Sequence, residues 1–549
     1  MNPNRLSVLA RLFAAVAVLA STCTPGRGDD PSDRVPAAPS LKRFQAVACN
    51  LPLRLITRIW NGYYPGRSGQ LQVIPRQPNY HTAGGLTHSG PWDYLQRVPM
   101  LWYGPGHVPA RCRLDRPATM ADVAPTIARL IGYEFRAPDG KALPEVLPSE
   151  GPAPEPPRLV LVVVWDGAGR NVLDEHPDAW PTVRRLIPKG AWFDRFTLGS
   201  SPSVTPATHT TLGTGAFPRH HGLVDQRIRV DGRLAPSHEE GPRYLRTPAL
   251  ADLYDRENGN SPRVGMVAYT AWHLGMIGQG SYLTGADRDV AALLDWNTGR
   301  WVLGGQNARH FRFPSYVNDV GGLEEAITRA DLEDGAKDGA WLGTPIPGDP
   351  RTLIKTPAYA EWQTAILEHL IRREGFGADQ TPDLLFTNYK MIDEVGHRWT
   401  MNSPQMRSVV RASDRALADL VRILDRAVGR GRWVLALTAD HGVTPKPSLT
   451  GAFAISKFEL ERDLERTFQA DFVIGARPTQ LWLDMDALRR AGHDVSQVAQ
   501  YVIRYTKGQN VEDPSALQPE ERAERVFAAA FPGRVLEWPL PCLDGVARG

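Results

Sequence analysis

The chain has 549 residues, 42% of them hydrophobic and 22% charged, with 50 Gly and 47 Pro. That is an ordinary globular composition, and it excludes disorder, collagen and coiled coil as the main architecture. Lys plus Arg number 63 against 60 Asp plus Glu, a net charge of +3, so no basic footprint for nucleic acid is evident.

In chain order, Arg5 and an apolar run from Val8 to Ala20, broken only by Arg11, read as an export signal over residues 1–22. The run is short for a bilayer span. A second reading is a lipoprotein signal with Cys23 lipidated, which gives the one membrane attachment expected. The expected location is extracellular or in the cell envelope. Residues 24–44, rich in Pro, Asp, Arg and Ser, read as a flexible tether. Residues 45–148 form a compact segment. It contains an apolar run at 98–103 and a helical period at 120–130 closed by Gly132. Residues 149–157, SEGPAPEPP, are a linker.

The core is expected at 158–449. The continuous apolar run Leu159–Trp165 fits a strand buried on both faces and ends at Asp166-Gly167. A second candidate strand, 383–388, leads to Asp393 and His397. A third, 433–438, leads to Asp440-His441-Gly442. Amphipathic helices at 357–373 and 404–428 lie between them, the second with Ser403 as N-cap and Pro404 in its first turn. Strands alternating with helices imply an α/β domain with a mainly parallel sheet. Residues 450–535 mix both signals and read as an α+β insertion, with 536–549 as a tail.

Ligands of open α/β sheets collect beyond the carboxyl ends of the strands. Asp166, Asp393, His397, Asp440 and His441 all sit there, and Asp/His mixtures suit Zn²⁺, Mn²⁺ or Fe. Each alone reads as a turn or surface residue; five in one chain point to one metal centre. In SPSVTPATHTTLGTG, residues 201–215, Thr205 precedes Pro206 as an N-cap precedes a first-turn Pro. A hydroxyl there faces the positive end of the helix dipole, which favours an alkoxide or phosphoryl group. The plainer reading is a cap alone.

Together the blocks VVVWDGAGRNVL, SVTPATHTTLGTGAFPRHHGLV, IDEVGH and TADHG resemble the alkaline phosphatase superfamily, in its type I phosphodiesterase/nucleotide pyrophosphatase branch. The resemblance implies a three-layer α/β/α sandwich and two Zn²⁺ ions, other divalent metals being an alternative. It implies that Asp166, Thr205, Asp440 and His441 hold one ion, and that Asp393, His397 and a further His hold the other. Thr205 is then the nucleophile, and a phosphothreonine forms. No Cys-x-Pro-x-Arg block marks a sulfatase.

After the DHG block the only His is His493, in what reads as a helix start, and it is set aside. The block resembling the family's last ligand is THSGP, with His88. It is followed by VPMLWYGPG and ADVAPTIARLIG, which resemble the family's closing strand and helix. The chain therefore reads as a circular permutant joined through 149–157. Neighbouring new ends make Cys49–Cys542 the first pairing expected among Cys49, Cys112 and Cys542.

Where the family commonly has Asn after its HG block, this chain has Gln226, expected on a phosphate oxygen. Residues 266–273 lack the Lys and Arg of monoesterases, which favours a diester; Arg227 and Arg229 are the nearest basic candidates. Tyr269 or Trp272 is a candidate to stack on the diester's organic group, packed aromatics being the plainer reading, and His209, His220 and His238 read as structural. The expectation is an exported zinc-dependent hydrolase of phosphodiester or pyrophosphate bonds acting on a small phosphate ester. The alternatives are a phosphomonoesterase of the same fold and a non-catalytic phosphate-binding protein.

Overall fold

The computed structural model describes residues 35–148, 155–346 and 350–543. The expected signal at 1–22, Cys23 and most of the 149–157 linker lie outside the described residues. No helix among the described residues is long and apolar enough to cross a membrane.

The centre is a nine-stranded sheet. Its spatial order is Arg300–Val302, Val290–Asp295, Val264–Ala268, Asp383–Tyr389, Leu159–Trp165, Trp433–Thr438, Met100–Tyr103, Ala191–Thr197, Cys112–Thr119. Five of the eight neighbouring pairs are parallel, as the alternation of strands and helices predicts. All residues of Leu159–Trp165, Asp383–Tyr389 and Trp433–Thr438 are buried, so both faces of the sheet are covered. The helices Pro357–Glu374 and Pro404–Leu424 pack on each other, and Val123–Leu130, Thr205–Thr214 and Leu250–Glu257 form a second group. Ser403 caps Pro404–Leu424 by accepting from the Met406 amide at 3.1 Å. The regular helix stops at Leu424, and a wider turn, Asp425–Gly429, replaces its expected last turn.

Register decides where the chemistry sits. Tyr389 lies opposite Trp165, and Val164 opposite Thr438. The three strands therefore end level, and Asp166, Asp393 and Asp440 all follow on the same edge.

A second, four-stranded antiparallel sheet runs Val473–Arg477, Gln480–Leu483, Leu71–Pro75, Phe527–Pro532. Its core includes Phe44, Val73, Phe468, Leu481 and Phe531. This corrects four expected boundaries. The tether does not reach 44, because the helix Leu41–Cys49 buries Phe44 and Ala48. The segment 45–148 is divided, because Leu71–Pro75 pairs in the small sheet while Met100–Tyr103 joins the large one. The 450–535 insertion is not self-contained, since its two strand groups meet only through Leu71–Pro75. The tail from 536 is no tail up to Leu543, for Leu536, Leu540 and Leu543 are buried. In each case apolar side chains outweigh the local composition. A Cys49–Cys542 disulfide, spanning 493 residues, closes this module, and Cys112 is free and exposed.

Candidate active site

Gly167 follows Asp166 with φ +77°, in the left-handed region, and a Cβ there would lie 2.9 Å from the Asp393 Cα. Only glycine lets the chain turn this tightly against Asp393. The Gly167 amide donates to Asp440 Oδ1 at 3.0 Å, which locks the first and third strand ends together.

Two groups of ligand-type side chains result. Asp166, Asp440 and His441 form one and His88, Asp393 and His397 the other, each with ligand atoms within 4.8 Å of one another. The His88 and His441 rings stack at 3.5 Å between centroids, so the groups adjoin. His88 reaches the site because the strand Tyr80–Thr82 pairs with Ala454–Ser456 and delivers the following loop. The Ser203 hydroxyl then donates to the His88 carbonyl at 2.7 Å.

The three histidines share one arrangement. Nδ1 of His88 bonds the Ser203 carbonyl at 3.0 Å, Nδ1 of His397 the Leu86 carbonyl at 2.6 Å, and Nδ1 of His441 the Gly442 carbonyl at 3.1 Å. A carbonyl only accepts, so Nδ1 carries a proton, and in the neutral ring the Nε2 lone pair is left for another partner. Each Nε2 faces carboxylate oxygen: His88 and His397 lie 3.5 and 3.4 Å from Asp393 Oδ1, and His441 lies 3.4 Å from Asp440 Oδ2. Asp393 Oδ1, Asp440 Oδ2 and His441 Nε2 are buried without a hydrogen-bond partner. Lone pairs of this kind converging in a buried space suit cations, and the Nδ1 bonds are the support that metal-binding imidazoles use.

Charge in the cation-free chain is uneven. Burial, with Asp440 nearby, pushes the Asp166 carboxyl well up. Burial would raise Asp393 too, but Lys390 and His397 hold it well below the usual range. Burial lowers His88. For His397 the lowering by burial is outweighed by Asp393, which lifts the ring to about 9.

Thr205 is buried and begins the helix Thr205–Thr214, whose N-cap is Val204. The expected cap is thus one residue out: Thr205 occupies the first helical position and Pro206 the second. The next turn of this helix touches the site, for His209 Nδ1 bonds the Thr205 carbonyl at 2.8 Å and lies 3.7 Å from Asp440 Oδ2. His493 lies in the small module with its ring edge on Phe468. Gln226 is in neither group; its side-chain oxygen accepts from Arg477. Tyr269 is buried against Trp296 and His273, and Trp272 donates to Glu239 at 2.8 Å.

Sequence reasoning overlooked Lys390, Asn388 and His273 as neighbours of the site, and set His209 down as structural. Lys390, 4% exposed at its side chain, sits 3.0 Å from Asp166 Oδ1 and 2.6 Å from Asp393 Oδ2. Asn388 donates to Asp166 Oδ2 at 2.9 Å. His209 and His273 form a further group with Asp166. The signal for Lys390 was its spacing, three residues before Asp393 at a helix start.

Residues 160–534 match the type I phosphodiesterase/nucleotide pyrophosphatase family. Alkaline phosphatase PafA of Elizabethkingia meningoseptica is 24% identical over 419 residues, 66% of this chain and 74% of that protein. Alkaline phosphatase PhoV of Synechococcus elongatus is 29% identical over 377 residues, 59% of this chain and 66% of that one. The crystal structure of wild-type PafA superposes with a TM-score of 0.50 at 18% identity, covering 64% of this chain and 77% of that one, which supports the fold. With its α/β sandwich and phosphoester-hydrolase relatives, the chain belongs to the type I phosphodiesterase/nucleotide pyrophosphatase family within the alkaline phosphatase superfamily.

Proposed function

We propose that the protein is an exported, metal-dependent hydrolase that cleaves phosphodiester or pyrophosphate bonds with Thr205 as nucleophile. The observation that carries this reading is the common arrangement of His88, His397 and His441, each with Nδ1 on a backbone carbonyl and Nε2 facing a carboxylate. Asp166, Asp440 and His441, with Thr205, would hold one cation, and His88, Asp393 and His397 the other; Zn²⁺ suits these donors. When bound, two such cations supply Lewis-acid polarisation of the attacking and leaving oxygens.

The chain's own residues do the rest. The helix N-terminus at Thr205 favours negative charge on the hydroxyl oxygen and on the phosphoryl group it receives. That oxygen attacks phosphorus, the bond to the leaving oxygen breaks, and a phosphothreonine remains until water cleaves it. Lys390 supplies one fixed positive charge among Asp166 and Asp393. Asn388 and Gly167 orient Asp166 and Asp440.

The strand Met100–Tyr103 precedes residue 160, where the family match begins, yet pairs with Trp433–Thr438 inside the central sheet, which supports reading the chain as permuted. The Cys49–Cys542 disulfide suits an oxidising compartment and supports export. A second reading, phosphomonoesterase, is favoured by Lys390, a buried cation that residues 266–273 do not provide. Plasma emission analysis for bound metal, with turnover of bis(4-nitrophenyl) phosphate and of 4-nitrophenyl phosphate, tests both. About two equivalents of zinc and faster diester cleavage are expected. A metal-free chain inert with added zinc would overturn the enzyme reading, and a tenfold preference for the monoester would establish the second.

A further inference from the structure

A cavity of about 200 Å³ opens beside the candidate metal centre, between the loop that carries His88 and the small module. His397 forms part of its wall, with Thr87 next to it; both also line the narrow cleft containing His88 and Asp393. The cavity and the cleft thus adjoin through Leu86, Thr87 and His397.

The opposite wall comes from the small module and carries Lys457 and Arg477. Lys457 makes no ion pair with a carboxylate among the described residues; its Nζ lies 4.7 Å from the Phe458 ring centroid. Arg477 lies 3.5 Å from buried Asp225 through Nε and contacts the Gln226 side-chain oxygen, so it is held in place and only partly neutralised. His81 also lines the cavity. It is 1% exposed, its Nδ1 bonds the Arg477 carbonyl at 3.1 Å, and its Nε2 is buried without a partner. A buried acceptor without a donor is costly unless a ligand supplies one. Two cationic residues lining a partly enclosed space likewise suit an anion.

We propose that this cavity is a subsite for a second anionic group, a carboxylate or a second phosphate, carried on the organic part of the ester. The inference rests on the phosphate-ester reading above and narrows its substrate class. Lys457 and Arg477 meet the anion, and an O–H or N–H of the same substituent satisfies His81 Nε2. A cavity of this size admits a fragment of a few heavy atoms, smaller than the usual drug-sized pocket of roughly 300–1,000 Å³.

Titration calorimetry on the metal-loaded protein tests this with ethylphosphonate, 2-carboxyethylphosphonate and ethane-1,2-bisphosphonate. Either ligand with an anionic arm is expected to bind at least tenfold more tightly than ethylphosphonate, the two arms showing whether carboxylate or phosphate is preferred. Lys457→Met is expected to reduce that advantage to within about threefold, and Lys457→Arg to restore it. Equal binding of all three ligands, or an advantage that survives in Lys457→Met, overturns the subsite and leaves the phosphate-ester reading standing. No binding by any of them overturns both.

Discussion

The two sheets of this protein are built by opposite means. The large sheet takes its three central strands from fully buried runs, two of them apolar at almost every position, and those strands pair in parallel with level ends. The small sheet takes short strands from segments about 400 residues apart and ties them with a disulfide. The first can place side chains accurately, because level strand ends on a rigid frame leave little freedom. The second closes one side of the site and brings Lys457 and Arg477 to it. The proposed chemistry thus rests on the part with dense local determinants, and the proposed substrate contact on the part assembled from remote pieces.

Perturbations of either sheet should separate these roles. The largest effect is expected from Thr205→Ala: turnover falls by three orders of magnitude or more, about 4 kcal/mol, while metal content and thermal unfolding of both sheets are preserved. Activity near the wild-type rate would remove Thr205 as nucleophile. Cys542→Ser should lower stability by about 2–4 kcal/mol, and calorimetry should show an early transition from the small module, with metal retained. A single shifted transition would show that the two sheets unfold together. His88→Ala should lose about one equivalent of metal and about a hundredfold in kcat/KM, near 2.7 kcal/mol; His493→Ala should do neither. Lys390→Met should slow the monoester about tenfold more than the diester, about 1.4 kcal/mol, because a dianion has more charge to balance.

The smallest effect concerns His81. Burial pushes its ring down to about 4, against an unfolded value near 6.5. Between these values the unfolded chain takes up a proton that the folded chain does not. The stability is therefore fully present above about pH 6.5 and is lost as pH falls towards 4, by on the order of 1 kcal/mol per pH unit. His81→Asn should reduce the dependence of unfolding free energy on pH in that window by about one proton, as read from urea midpoints.

Much of the large sheet was legible because its signals are local. Leu159–Trp165 carries its own burial pattern, and Asp166, Asp393 and Asp440 need only parallel pairing to meet. His88 was legible only through the THSGP block, since nothing local says that residue 88 lies beside residue 393. Lys390 was written in the sequence too, but a lysine near a helix start ordinarily points to solvent, and only the crossing of three strand ends buries it. The small sheet was illegible for a different reason. Leu71–Pro75 is a five-residue strand whose partners and register are set by tertiary contact. The apolar residues near Cys542 look like a tail until the helix Leu41–Cys49 is there to cover them.

That arrangement has a consequence for how the protein is made. Leu71–Pro75 leaves the ribosome with both edges unpaired, and its neighbours Gln480–Leu483 and Phe527–Pro532 follow about 400 and about 450 residues later. At about 5–20 residues per second that is a wait of roughly 20–80 s with an exposed, aggregation-prone strand. A nascent chain must be kept apart from its fellows for that time, and a chain threaded unfolded across a membrane before it pairs would meet this need. Because Cys542 is made 493 residues after Cys49, a product terminated before it can neither complete the small module nor oxidise Cys49 against its partner. Its unpaired strand and unpaired Cys49 would leave it open to aggregation and proteolysis.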